Sequence, residues 1–419
     1  MNERLLQFIW QYQYFSRSEL QTVTGEKIEI ILPGMLNTNQ GPDFLNSKIR
    51  VGNTLLAGHV ELHINTSQWL EHGHHKDRNY NGVILHVVFE HDLHIHDNLP
   101  VLELQPYIST ILTSRYQQLM DTAELIPCAS AIKSVREIIW TGWKDRLIAE
   151  RLTRKSVIIL QLLQGSKGHW EEVLWWLLAR NFGIKVNADA FESMARSIPL
   201  TVLGKHKNQI HQLEALLFGQ SGLLSGTFND EYARLLQREY QFLQKKYNLK
   251  KIDIPIHFLR MRPGNFPTIR LAQMAMLLHR SIHLFATILE TENSKELRKL
   301  FAIEPNDYWL YHYLFDDQSP FKNKKLGADM VSNLLINTII PVLFAYGSFH
   351  QIEKYKQKAM KWLEETPAES NYIIKEFKSF GVKTNSSFDS QAVIELKNQY
   401  CRQKRCLECA VGNAVLKPG

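Results

Sequence analysis

A chain of 419 residues with 44% hydrophobic and 22% charged side chains has the balance of a folded protein, which excludes a disordered or collagen-like one. At roughly 150 residues per domain, the length predicts two or three domains. Its 49 Lys and Arg against 42 Asp and Glu leave a net charge of +7, enough to permit a polyanionic partner without requiring one.

Residues 1–15, MNERLLQFIWQYQYF, have helical apolar spacing at Leu5, Ile9 and Tyr12. Glu3 and Arg4 come early and no small-residue cleavage site follows, so the segment reads as a helix and not a secretory signal. From Lys27 to about Ile108 the pattern has period 2 between turn residues, which predicts strands over 27–32, 47–52, 58–64, 82–90, 92–97 and 100–105. After Pro127 the pattern turns helical, over 136–163, 170–183, 211–219, 230–247, 266–289 and 390–400, with Gly183 and Gly219 placed as helix C-termini. The expected fold is an α/β domain over 1–127 followed by a large all-α domain over 128–419. The most apolar stretch, LLINTIIPVLFAYG (334–347), is short and contains Asn337 and Pro341, so we expect no membrane span and a cytoplasmic protein.

The α/β half carries candidate chemistry. Pro42-Asp43 forms a turn feeding a strand, and in Gly58-His-Val-Glu-Leu-His-Ile64 strand alternation puts His59, Glu61 and His63 on one face. The run GVILHVVFE (82–90) reads as a strand buried on both faces, so His86 is either a core histidine bonded to a neighbour or a further member of the acidic site. Helix, three strands, helical connection and strand, with Asp opening one strand and Glu-x-basic on the next, resembles the PD-(D/E)xK phosphodiesterase superfamily. That resemblance implies a nuclease-like core with Mg²⁺ or Mn²⁺ between Asp43 and Glu61. Carboxylates from adjacent strands suit a divalent ion that polarises a phosphate and lowers the pKa of a water. His63 stands where that superfamily has Lys, exchanging a permanent charge for a group mostly neutral at pH 7. Nearby, His72, His74, His75 and Asp77 offer a second metal or phosphate site beside Glu61, with His72 and Asp77 or His75 and Asp77 as ligand pairs, against the plainer reading of a solvated, charged helix end. His72-Gly73-His74 has the His-x-His spacing of small β-barrel metal sites, but its glycine and the downstream glutamate are wrongly placed for one. His94 and His96 are expected to face solvent.

Three of the four cysteines fall in the run Cys401-x4-Cys406-x2-Cys409, and Cys128 follows Pro127. Four cysteines exclude a disulfide scaffold, while three clustered thiols lack one ligand for a zinc ion or an iron–sulfur cluster, and Cys128 completes the set. The arrangement is similar to the cluster staple of some RecB-family nucleases, without matching their spacing. In the helical half, Arg260, Arg262 and Arg270 surround a helix start at Pro267, either as a phosphate site or as partners of neighbouring carboxylates. Arg146, Arg151, Arg154 and Lys155 form a basic stripe, read as a solvated face that would also suit a nucleic-acid backbone.

Over nearly its full length the chain resembles a bacterial family catalogued as domain of unknown function 2851. The resemblance rests on Gly41-Pro-Asp-Phe, Gly58-His-Val-Glu-Leu-His, Leu85-His-Val-Val, Glu214-Ala-Leu-Leu-Phe-Gly, Arg262-Pro-Gly-Asn-Phe-Pro, Tyr400-Cys and Cys406-Leu-Glu-Cys409. It implies no activity. The residues themselves lead us to expect a divalent-metal-dependent phosphodiesterase acting on nucleic acid. A non-catalytic nucleic-acid-binding or scaffold protein, or a metal-dependent hydrolase of small molecules, is the alternative. No protein partner is legible.

Overall fold

In the computed structural model, which describes residues 1–94, 99–250, 252, 254–259, 261–281 and 283–417, the N-terminal apolar spacing forms helix α1 (Glu3–Tyr12). Asn2 caps it, its side chain accepting from the Leu5 N–H, and Gln13 ends it in the left-handed region at φ 54°. One face buries Leu5, Leu6, Phe8, Ile9 and Trp10. Each such side chain stabilises the unit by about 1.5–3 kcal/mol. The opposite face keeps Glu3 and Gln7, one turn apart, for the site described below.

Strands β1 (Ile28–Leu32), β2 (Met35–Leu36), β3 (Phe44–Val51), β4 (Thr54–Asn65), β5 (Val83–Glu90) and β6 (Val101–Glu103) form one mixed sheet in the order β1-β3-β4-β5-β6, with β2 beside β3. The β1–β3 and β3–β4 pairs are antiparallel, whereas β4–β5 and β5–β6 are parallel. Parallel neighbours need a crossover. Here it is the short helix α2 (Gln68–Glu71) with two 3₁₀ turns, His74–Lys76 and Arg78–Tyr80. The central β5 buries Leu85, His86, Val87 and Val88, the continuous run expected of a strand covered on both faces. Gly58 lies against Gly82, where a Cβ would meet the Gly82 carbonyl oxygen at 2.4 Å, so only glycine admits this approach. Of the strands expected from the sequence, the one over 92–97 does not form at 92–94; residues 95–97, and with them His96, lie outside the described residues.

The helical segments follow. Helix α3 spans Thr110–Asp121, and α4 spans Glu137–Gly165. Later helices include Trp170–Phe182, Ile210–Gln220 and Glu231–Tyr247, close to their expected bounds. The helix expected over 266–289 is instead two, Pro267–Arg280 and Leu284–Glu290, with Ser281 extended between them. Gly219 is not a terminus but lies inside its helix, where a Cβ would meet the Tyr240 ring at 2.1 Å. The apolar helix is longer than the sequence suggested. Ala328–Phe349 is long and apolar enough to cross a membrane, yet 61% of its most apolar window is buried within the protein. A π-helical turn, Leu335–Ile339, precedes Pro341, which has no N–H to continue the ladder.

The chain divides into two compact units, Met1–Trp143 with Leu396–Gly419, and Lys144–Glu395. This corrects the boundary expected at 127/128: the helical unit starts inside α4, and the C-terminal segment belongs with the sheet. Sequence order misleads here because a chain can leave a unit and return to it, which no local pattern records.

Candidate metal centre

Three short segments build the centre. Glu61, 5% exposed on β4, accepts through Oε2 from the Asp43 N–H at 3.0 Å, and Asp43 accepts through Oδ2 from the Leu62 N–H at 3.0 Å. Each carboxylate thus holds the backbone that carries the other. Gln7 of α1 donates to Asp43 Oδ1 at 2.8 Å.

The second oxygen of Glu61 faces imidazoles. Oε1 lies 3.6 Å from His63 Nε2 and 3.5 Å from His74 Nε2. His72 Nδ1 lies 3.2 Å from His63 Nε2, and one ligand atom from each of His63, His72 and His74 lies within 4.8 Å of the others. The loop geometry explains how: α2 ends at His72, and Gly73 at φ 73° turns the chain so that His72 and His74 face the same point. Buried Trp69 packs beneath, its ring 5.5 Å from His74 and 5.2 Å from His86, and Tyr80 stacks on His74 at 3.8 Å.

Burial pushes the Glu61 carboxyl up, and the Asp43 charge pushes it further. Asp43 is likewise raised by burial, against the Leu62 and Gln7 donors that favour its charged form. Burial drives the imidazoles the other way, His63 to about 2 and His86 to about 3, with neighbouring imidazoles adding to the shift. Both are therefore neutral at physiological pH, and the approach of His63 to Glu61 is no ion pair. His63 cannot supply the positive charge of the lysine it replaces. It can supply a lone pair. His63 Nδ1 is bonded to His86 Nε2 at 2.9 Å, which leaves Nε2 facing Glu61. His86 is thus the outer partner that fixes the ring.

A carboxylate oxygen and three imidazole nitrogens form a donor set suited to zinc or another transition ion, whereas Mg²⁺ prefers oxygen ligands. A cation would also relieve the repulsion that raises the two acids.

The predicted residues divide cleanly. Asp43, Glu61, His63 and His72 come together, with His86 behind them. His59 does not join them: its Nδ1 accepts from the Asn46 N–H at 3.3 Å and its ring lies over Gly82. Between His59 and Val60 the β5 partner skips from Val83 to Leu85, a bulge on β5 beside this position. His75 is exposed, and Asp77 caps the second 3₁₀ turn by accepting from the Asn79 N–H. His94 is exposed as expected. Sequence reasoning grouped His74 with this cluster but paired His72 or His75 with Asp77 instead, and it missed Gln7 and Tyr80. The available signal was the His-x-His spacing around a glycine.

In the helical unit, Arg270 is buried and donates to Gln273 Oε1 at 2.9 Å and Asn265 Oδ1 at 2.6 Å, Arg262 is exposed, and Arg260 lies outside the described residues. The basic stripe divides, with Arg146 and Arg154 exposed and Arg151 and Lys155 half-buried. Arg151 and Arg154 bond to the buried Glu395, Lys155 donates to Asn337 at 3.1 Å, and Arg146 pairs with Glu150 on the surface. All four cysteines are buried in the sheet-containing unit, and none forms a disulfide. A family model described as protein of unknown function (DUF2851) matches residues 3–372. No curated protein and no solved structure matches the chain.

Proposed function

The chain belongs to the DUF2851 family, and from that premise we propose that it is a divalent-metal-dependent hydrolase of phosphodiester bonds in nucleic acid, built on a PD-(D/E)xK-like core. The observation that carries this reading is the cluster of His63, His72 and His74, with Glu61 Oε1 facing His63 and His74 beside a second carboxylate, Asp43. The order α1, β1, β3, β4, helical crossover, β5, with Asp43 and Glu61 side by side, supports the resemblance drawn from the sequence.

Glu61, His63, His72 and His74 would hold the ion, and their chemistry favours Zn²⁺ or Mn²⁺ over Mg²⁺. When bound, such an ion polarises a phosphoryl oxygen and lowers the pKa of a coordinated water. Asp43 orients Glu61 through its own N–H and adds negative charge to the ligand group. His86 keeps the His63 ring from turning. Tyr80, pushed up to about 12 by burial and by the Glu61 and Asp43 charges, retains its proton and is a donor beside His74.

The test is cleavage of labelled single- and double-stranded DNA and RNA in Zn²⁺, Mn²⁺ or Mg²⁺. The wild type is expected to cut with a transition ion and Glu61→Gln to fail. Equal cleavage by both, or none by the wild type with any ion, overturns the reading. The neutrality of His63 favours one alternative, a non-catalytic nucleic-acid-binding protein, which would show salt-dependent binding without turnover.

A further inference from the structure

Cys128 and Cys401 are 273 positions apart in sequence, yet both lie in the same compact unit with Cys406 and Cys409. The four side chains are only 5–8% exposed. The 3₁₀ turn that follows Cys128, Ala129–Ser134, packs against the helix that follows Cys409, Ala410–Leu416, and the turn ending at Cys401 packs against the one that starts at Cys406. No pair is oxidised.

The local fold is arranged around the sulfurs. A π-helical turn, Lys397–Cys401, presents the first. Lys404 adopts φ 51° to reverse the chain, and the 3₁₀ turn Cys406–Glu408 brings Cys406 and Cys409 to one side. Gly412 packs so tightly behind that turn that a Cβ would meet the Cys406 carbonyl oxygen at 2.3 Å. Cys409 Sγ accepts from the Gly412 N–H at 3.5 Å. Donors directed at sulfur favour a thiolate over a thiol.

We propose that Cys128, Cys401, Cys406 and Cys409 form a four-thiolate metal centre that staples the C-terminal segment to the sheet-containing unit. Tetrathiolate ligation is shared by structural Zn²⁺ and by iron–sulfur clusters, and the x4 and x2 spacings occur in both. The role is structural in either case. Binding closes a chain loop of 273 positions and displaces the thiol protons to solvent. The centre does not depend on the reading of Glu61 and the histidines.

The test uses full-length protein purified without oxygen or chelator from cultures supplied with iron and zinc. Metal analysis, the visible spectrum and mercurial titration are the readouts. One zinc per chain in a colourless protein, or iron with sulfide in a coloured one, supports the centre, as does release of the metal after four equivalents of mercurial. A His72→Ala/His74→Ala variant should retain this metal, and Cys128→Ser should lose most of it. Metal-free protein with four free thiols, a disulfide among these cysteines, or full retention in Cys128→Ser overturns the proposal. The titration uses wild-type protein, so a misfolded variant does not blunt it.

Discussion

Each compact unit buries a glutamate that burial pushes up, and their surroundings differ. Glu214, in the helical unit and 0% exposed, accepts from Tyr232 Oη at 2.8 Å, Asn306 Nδ2 at 2.6 Å and Trp309 Nε1 at 3.1 Å. Its neighbours donate, and both its oxygens are satisfied. Glu61, in the sheet-containing unit, has one oxygen on the Asp43 N–H and the other facing two neutral imidazoles. The comparison separates a carboxylate that completes a hydrogen-bond network from one whose second oxygen is left facing imidazoles. Burial alone does not distinguish them; the inventory of donors does.

The largest expected effect tests the Glu61 side. Glu61→Gln should lower metal-dependent cleavage by on the order of 10³-fold while leaving the urea midpoint of the apoprotein unchanged or raised, because it removes a buried acid with no donor on one oxygen. A Glu61→Gln protein that unfolded much more easily would make Glu61 a structural residue like Glu214. Next, Glu214→Ala should destabilise the helical unit by about 4 kcal/mol in urea, since three buried donors lose their acceptor and a cavity opens. A change below about 1 kcal/mol would dissolve the contrast.

The third prediction concerns pH. The folded Glu214 carboxyl sits at about 7, above its ordinary 4.5. The protonated form is therefore favoured by folding. Its contribution is fully present below about 4.5, falls as pH rises through 7, and is level above that. The difference amounts to about 3 kcal/mol. Glu214→Gln should flatten that window in urea titrations at successive pH values, and an unchanged slope would assign the dependence elsewhere. The smallest effect tests the partner of His63. His86→Phe should weaken metal affinity by about 10–100-fold, measured by competition with a chelating dye, with the protein still folded. No loss of affinity would make His86 simply part of the core.

Much of the centre was legible because it is local. Two-residue alternation placed Glu61 and His63 together, and the turn at Pro42-Asp43 delivered the second acid. His59 was misplaced because its neighbours, Asn46 and Gly82, come from other chain segments, which alternation does not record. That His74, rather than His75 or Asp77, joins His72 depends on Gly73 adopting a positive φ, a backbone choice that spacing does not encode. In the helical half, the stripe from Arg146 to Lys155 looked solvated until Glu395 and Asn337, nearly two hundred or more positions away, supplied its partners. The strands and most helices were readable from period and caps. The return of residues 396–419 to the first unit was not, since it is decided by long-range burial.

That return sets an order of events during synthesis. At about 5–20 residues per second, the ribosome needs roughly 13–50 seconds to pass from residue 143 to residue 396. Throughout that interval the nascent sheet has Cys128 but not its three companions, while the intervening helical unit is still being made. The part of the protein that is made first is the part that is finished last, and its early strands must stay unaggregated until the tail arrives.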